Sequence, residues 1–220
     1  MAADSNSNMK LRHPLSLRLF HWVNAISIVM LTLTGFVIHD PIGFRMFSGN
    51  MDTSRYLHFI FMYILIFSTI GRIWYMIIAK DYRNILFYRW QDVKDMGSLI
   101  LYYLFLKNTH PDYGKYNPGQ KLMYTLVFIM IIIQVITGFI LYMPTALNGW
   151  AMALGGFIVV RLIHYCITWL FILCVMVHVY LDLAEGMPVL MSMINGKIPK
   201  DFHAHIKIPR PQTDASAGNE

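Results

Sequence analysis

Four runs of apolar residues, separated by polar and turn-forming stretches, organise this 220-residue chain: about Leu19–Ile38, Leu57–Ile78, Leu122–Met143 and Val159–Leu181. Some twenty residues rising ~1.5 Å each cross a hydrocarbon core of ~30 Å as a helix. Within lipid a helix satisfies its own backbone, whereas an open strand cannot. The pattern therefore predicts an all-α fold, an integral membrane four-helix bundle. Between the second and third runs lies a long polar loop, Lys80–Lys121. Its stretch Met96–Leu106 (MGSLILYYLFL) is too short to span and predicts an interfacial helix. Asn117-Pro118-Gly119 then breaks the chain before the third span. The expected organisation is a polar N-terminal segment at 1–18, a four-span domain at 19–197 and a polar tail at 198–220, the two end segments poorly ordered when alone. The first run is of full span length and lacks a small-residue cleavage site, so it reads as a retained helix.

Composition supports this reading: 56% of residues are hydrophobic and 14% charged. Charge placement adds orientation. Lys10, Arg12 and Arg18 precede the first span; Lys80, Arg83, Arg89, Lys94, Lys107, Lys115 and Lys121 lie in the long loop; Lys197, Lys200, Lys207 and Arg210 lie in the tail. The other side carries only Arg45, Arg55 and Arg161. By the positive-inside rule both termini and the long loop are cytoplasmic. The same asymmetry explains the basic balance, so no nucleic acid is implied. Cys166 and Cys174 share the last span, eight residues apart, where a disulfide is out of reach.

The candidate chemistry lies in the histidines. His164 and His178 are fourteen residues apart in one apolar run. In a left-handed bundle with a repeat of about 3.5 residues they leave the same face, ~21 Å apart along the helix. His21 begins the first run and His58 the second. Alternating span direction then matches His58 with His164 near the outside and His21 with His178 near the cytoplasm. Paired imidazoles at two depths suit two bis-histidine haems, with no open iron position and hence electron transfer rather than chemistry on a substrate at the iron. Without a C-x-x-C-H string the haem is b-type, held by ligation alone. The competing reading makes each histidine a bundle hydrogen-bonder, but four independent contacts have no reason to pair by depth.

Haem carries two carboxylates, which guanidinium groups bind well. Arg72 lies fourteen residues after His58 on the same face, Arg18 stands one turn before His21, and Arg161 is a third candidate. Arg18 could equally be a charge anchor. A short echo, TLTGFVIHD ending the first span and VITGFILYM ending the third, places Gly35 and Gly138 at one depth. Small residues there would let a macrocycle approach the backbone, or two helices pack closely.

These residues resemble the b-type cytochrome subunit of membrane-bound nickel-iron hydrogenases and, similarly, the diheme subunit of respiratory formate dehydrogenases. The resemblance runs from Pro14 to Gly196. It is carried by RLFHW (18–22), RYLHF (55–59) with Arg72, YYLFLK (102–107), KYNPGQK (115–121), ITGFILY (136–142), the His164…His178 helix with HVYLDL, and MINGKIP (193–199). It implies two haems b and a periplasmic iron–sulfur small subunit with a catalytic large subunit. It further implies reduction of menaquinone or ubiquinone from the quinone pool at the cytoplasmic side of a bacterial inner membrane. The family's quinone site maps onto Asn117, Gly119 and Gln120. Such a chain is an electron-transfer subunit, not a complete enzyme alone. Three alternatives stay open at this point: the same role in a formate dehydrogenase, quinol oxidation feeding a periplasmic thiosulfate or polysulfide reductase, and, from another class, a metal permease.

Overall fold

The computed structural model describes residues 8–43, 50–80, 82–87, 89–103, 106 and 118–200. The described elements follow in the order β1 (Met9–Leu11), α1 (Leu15–His39), α2 (Met51–Ile78), α3 (Tyr82–Ile85), α4 (Trp90–Tyr103), α5 (Pro118–Tyr142), α6 (Asn148–Ala153), α7 (Phe157–Glu185), α8 (Met187–Asn195) and β2 (Lys197–Pro199). Four helices are long and apolar enough to cross a membrane: Leu15–His39, Met51–Ile78, Pro118–Tyr142 and Phe157–Tyr180. They carry the four predicted runs. The chain forms two compact units, a larger one at Leu19–Met176 and a smaller one comprising Met1–Arg18 and Val177–Glu220.

In the larger unit the helices start where local chemistry permits. Asn50 caps α2, its side chain accepting from the Asp52 N–H at 3.1 Å. The helix therefore starts at Met51, and the polar residues before Leu57, expected as loop, form its first turns. Before that cap, Asp40 Oδ1 accepts from the Gly43 N–H at 2.9 Å and closes the turn after α1. Met130, Ile131 and Phe171 pack with Ile28, Val127 and Ile167 as one core, and Ile140, Ala151 and Val160 form a second. Large apolar side chains elsewhere stay uncovered, such as Phe67 at 70% and Trp74 at 67% exposure. Four long helices with apolar outer surfaces suit lipid rather than water.

The predicted loop helix exists as α4 but starts earlier, at Trp90. Asp92 explains the difference. It is buried, accepts from the Arg89 N–H at 3.2 Å, and pairs with Lys121 Nζ on α5 at 2.7 Å. Thr125 of α5 accepts from the Phe87 N–H at 2.9 Å, so the segment before α4 is pinned to α5 as well.

In the smaller unit, parts of both end segments find each other. Strands β1 and β2 pair antiparallel, Met9 with Pro199, Lys10 with Ile198 and Leu11 with Lys197. Gly196 makes the turn from α8 into β2 at φ 83°, donating to the Ser192 carbonyl at 2.9 Å. Its own carbonyl accepts from the Arg12 N–H at 2.9 Å and the His13 N–H at 3.2 Å. A Cβ there would stand 3.0 Å from the His13 carbonyl oxygen, so the position demands glycine on both counts. These two short segments order against each other.

Candidate functional site

The larger unit holds a cavity of about 830 Å³, within the size range of cofactor sites (about 300–1,000 Å³). His58 and His164 both line it, with Gly35, Gly138 and Arg161, so five of the sequence candidates come together there. Arg55, His39, Gln134, Tyr142, Tyr165 and Thr168 line it too.

The two histidine rings meet the same kind of partner. Thr34 Oγ1 lies 2.9 Å from His58 Nδ1, and Thr137 Oγ1 lies 2.8 Å from His164 Nδ1. Each threonine hydroxyl donates its single hydrogen to the carbonyl one turn back, Thr34 to Met30 and Thr137 to Ile133, both at 2.7 Å. With that hydrogen used, the threonine oxygen can only accept, so each imidazole carries its proton on Nδ1. Nε2 is left with a lone pair, the form of histidine that ligates a metal. Beside each threonine stands the glycine of the TGF echo. A Cβ on Gly35 would lie 3.5 Å from His58 Cε1, and one on Gly138 would lie 3.5 Å from His164 Cε1. What each glycine faces within the chain is thus the imidazole of the next long helix.

The match extends to register. Thr34 and Thr137 are each the twentieth residue of a 25-residue helix, and His58 and His164 are each the eighth residue of theirs. His39 stacks on Tyr165 with centroids 4.4 Å apart; its counterparts Tyr142 and Phe59 also meet at 4.4 Å. The pairs α1–α2 and α5–α7 are therefore two copies of one arrangement around one cavity. The copies differ at Gln134, which takes the place of Leu31. Gln134 Nε2 donates to the His164 carbonyl at 3.1 Å and to Thr168 Oγ1 at 2.9 Å, while its Oε1 is buried with no partner among the described residues. Sequence reasoning did not single out Thr34, Thr137 or Gln134. The repeated Thr-Gly pair was the available signal.

Residues 12–196 match the family described as prokaryotic cytochrome b561. The chain belongs to that family. Among individual relatives, a protein of Azotobacter vinelandii named "Probable Ni/Fe-hydrogenase B-type cytochrome subunit" is 32% identical over 197 aligned residues, covering 81% of this chain and 82% of the relative. Its namesake from Azotobacter chroococcum mcd 1 is 31% identical over 202 residues, with coverage of 82% and 84%. The cytochrome b556(Fdn) subunit of the nitrate-inducible formate dehydrogenase of Escherichia coli (strain K12) is 28% identical over 202 residues, with coverage of 89% and 87%. This b561-family cytochrome is a multi-pass membrane protein, and the family implies haem b. The residues present fit that group: two imidazoles with Nε2 lone pairs line one apolar-walled cavity and could hold haem iron.

The other candidates of this cytochrome lie elsewhere. His21 is on α1 in the larger unit, one residue from Phe20, whose ring packs on Gly71 of α2. Arg72, next to Gly71, has its guanidinium 5.8 Å from the Tyr75 ring centre, and its Nη1 is buried with no partner among the described residues. An orphaned guanidinium nitrogen of this kind is what an absent carboxylate would satisfy. His178 belongs to the smaller unit, where its Nε2 lies 3.5 Å from Asp182 Oδ2. Burial pushes the Asp182 carboxyl up, while His178 and Arg12 act to lower it. In the same unit Arg18 Nη1 donates to the Ile194 carbonyl, and its Nε is buried with no partner among the described residues. Gly119 and Gln120 form the first turn of α5, and Asn117 falls outside the described residues.

Proposed function

We propose that this cytochrome anchors a hydrogen-oxidising complex in the bacterial inner membrane and hands its electrons to menaquinone or ubiquinone. The observation that carries the reading is the twin Thr–His–Gly arrangement around one cavity, which prepares His58 and His164 as a ligand pair. Bound haem b would supply reversible one-electron chemistry. The chain's part would be to present the Nε2 atoms of His58 and His164 to the iron, to exclude water with apolar walls, and to hold each ring by its other nitrogen.

A second pair, His21 with His178, follows from the fourteen-residue spacing along α7 and would be the cytoplasmic member. His178 Nε2 lies 3.5 Å from Asp182 Oδ2, and ligation through that nitrogen would replace this contact. Arg72 and Arg18, each with a buried nitrogen that has no partner among the described residues, are the carboxylate partners we assign there. The quinone would meet Asn117, Gly119 and Gln120, residue types whose amide groups and backbone N–H can donate to a carbonyl. Both termini would face the cytoplasm, and a periplasmic iron–sulfur small subunit with a catalytic large subunit would dock on the other side. The likeness to a formate dehydrogenase subunit supports a second reading, with formate in place of hydrogen as the electron source.

Pyridine haemochrome quantitation on the purified chain tests the count: two low-spin b haems per chain support both pairs. Replacing His178 with Ala should abolish quinone reduction in the complex while hydrogen oxidation with a soluble dye persists. Unchanged quinone reduction in that variant would sink the electron path.

A further inference from the structure

Two arginines flank the cavity at matching places. Arg55 stands three residues before His58 and Arg161 three before His164, so each long helix presents Arg-x-x-His at the same register. Both arginines line the cavity. Its described lining contains no Asp or Glu, and neither arginine takes part in an ion pair among the described residues. Two guanidinium groups on the wall of one cavity offer an anionic ligand two points of attachment. Charge topology does not account for them either, because they lie on the side where basic residues are otherwise scarce.

We infer that Arg55 and Arg161 form a two-armed clamp for a ligand with two carboxylates, one held by each guanidinium. On the haem reading of the cavity, on which this rests, those are the two propionates. Arg161 was already a candidate from the sequence; the structure adds Arg55 as its two-fold partner and makes the site a dianion receptor. Guanidinium and carboxylate match in shape and charge, so each arm can hold its carboxylate in a bidentate pair.

The test uses the full-length chain in a His178→Ala background, so that only the His58/His164 site is loaded. Midpoint potentials are measured for Arg55→Gln, Arg161→Gln and the double variant. Each chain is loaded with protohaem or with its dimethyl ester, which lacks both carboxylates. With protohaem, each single variant should lower the potential by a similar step and the double by roughly twice that, since two separate pairs are being broken. Removing a cation beside the propionates favours the ferric state, which sets the direction of the shift. With the ester, no carboxylate holds either exposed guanidinium beside the haem, so the steps should shrink. Potentials unmoved by either substitution, or equal steps with the ester, would overturn the clamp while leaving the haem site standing. Haem that survives His58→Ala in the His178→Ala background, or a background chain that binds none, would overturn the site and the clamp together.

Discussion

Replacing Thr34 or Thr137 with Val keeps side-chain shape and removes one oxygen. Two consequences differ in size. As interhelical hydrogen bonds in a membrane protein, these contacts are worth only about 0.6 kcal/mol each to helix association. As the acceptor that holds His58 Nδ1 at 2.9 Å or His164 Nδ1 at 2.8 Å, each oxygen does more. Without it a buried N–H goes unsatisfied, at about 1–3 kcal/mol, and the proton is free to move to Nε2. Loss of such a partner typically lowers metal-ligand affinity about 10–100-fold, or ~1.4–2.7 kcal/mol, which agrees with the hydrogen-bond figure. Haem affinity should therefore fall by one to two decades while thermal stability of the haem-free chain shifts little. Haem transfer from each variant to excess apomyoglobin gives the first quantity, and thermal unfolding in detergent gives the second. Thr→Ser, which restores the oxygen, should recover most of the affinity. Because the two halves repeat, Thr34→Val and Thr137→Val should have similar effects. Haem binding within threefold of the parent in both Val variants would refute the tautomer argument, as would a Ser variant as weak as Val.

Asp92→Ala leaves Lys121 without its partner and should cost about 3 kcal/mol, the low end for a buried pair because Lys121 is partly exposed; hydrogen exchange in α4 should rise while that in α2 does not. Gly196→Ala forces an L side chain into φ 83° against the His13 carbonyl and should destabilise by about 1–2 kcal/mol. Its readout is limited proteolysis, which should reach the β1–β2 region faster than in the parent. Gly71→Ala would bring a Cβ to 2.8 Å from Phe20 Cε1, and the ring must move, at about 1–3 kcal/mol. Its midpoint of thermal unfolding should drop, and Phe20→Leu should restore it by making room.

Much of this protein could be read along the chain. Four spans follow from the length of apolar runs, because lipid leaves the backbone no option but to bond within the helix. The histidine spacing, the Arg-x-x-His strings and the TGF echo are visible as letters at fixed intervals, and helical periodicity converts intervals into faces. That conversion stops at the helix surface. How Thr34 meets His58, and Thr137 His164, depends on the rotation and offset of neighbouring helices, which no single helix encodes. The same holds for Asp92 finding Lys121 across a loop, and for Arg55, whose place on the cavity edge only the assembled helices reveal. Strand β1 waits for β2, almost the whole chain away, because a three-residue strand has no partner for its amides until the rest has folded. Local sequence determined which groups are available and on which face. Packing between distant segments decided which groups meet, and so made two separate histidines into one site.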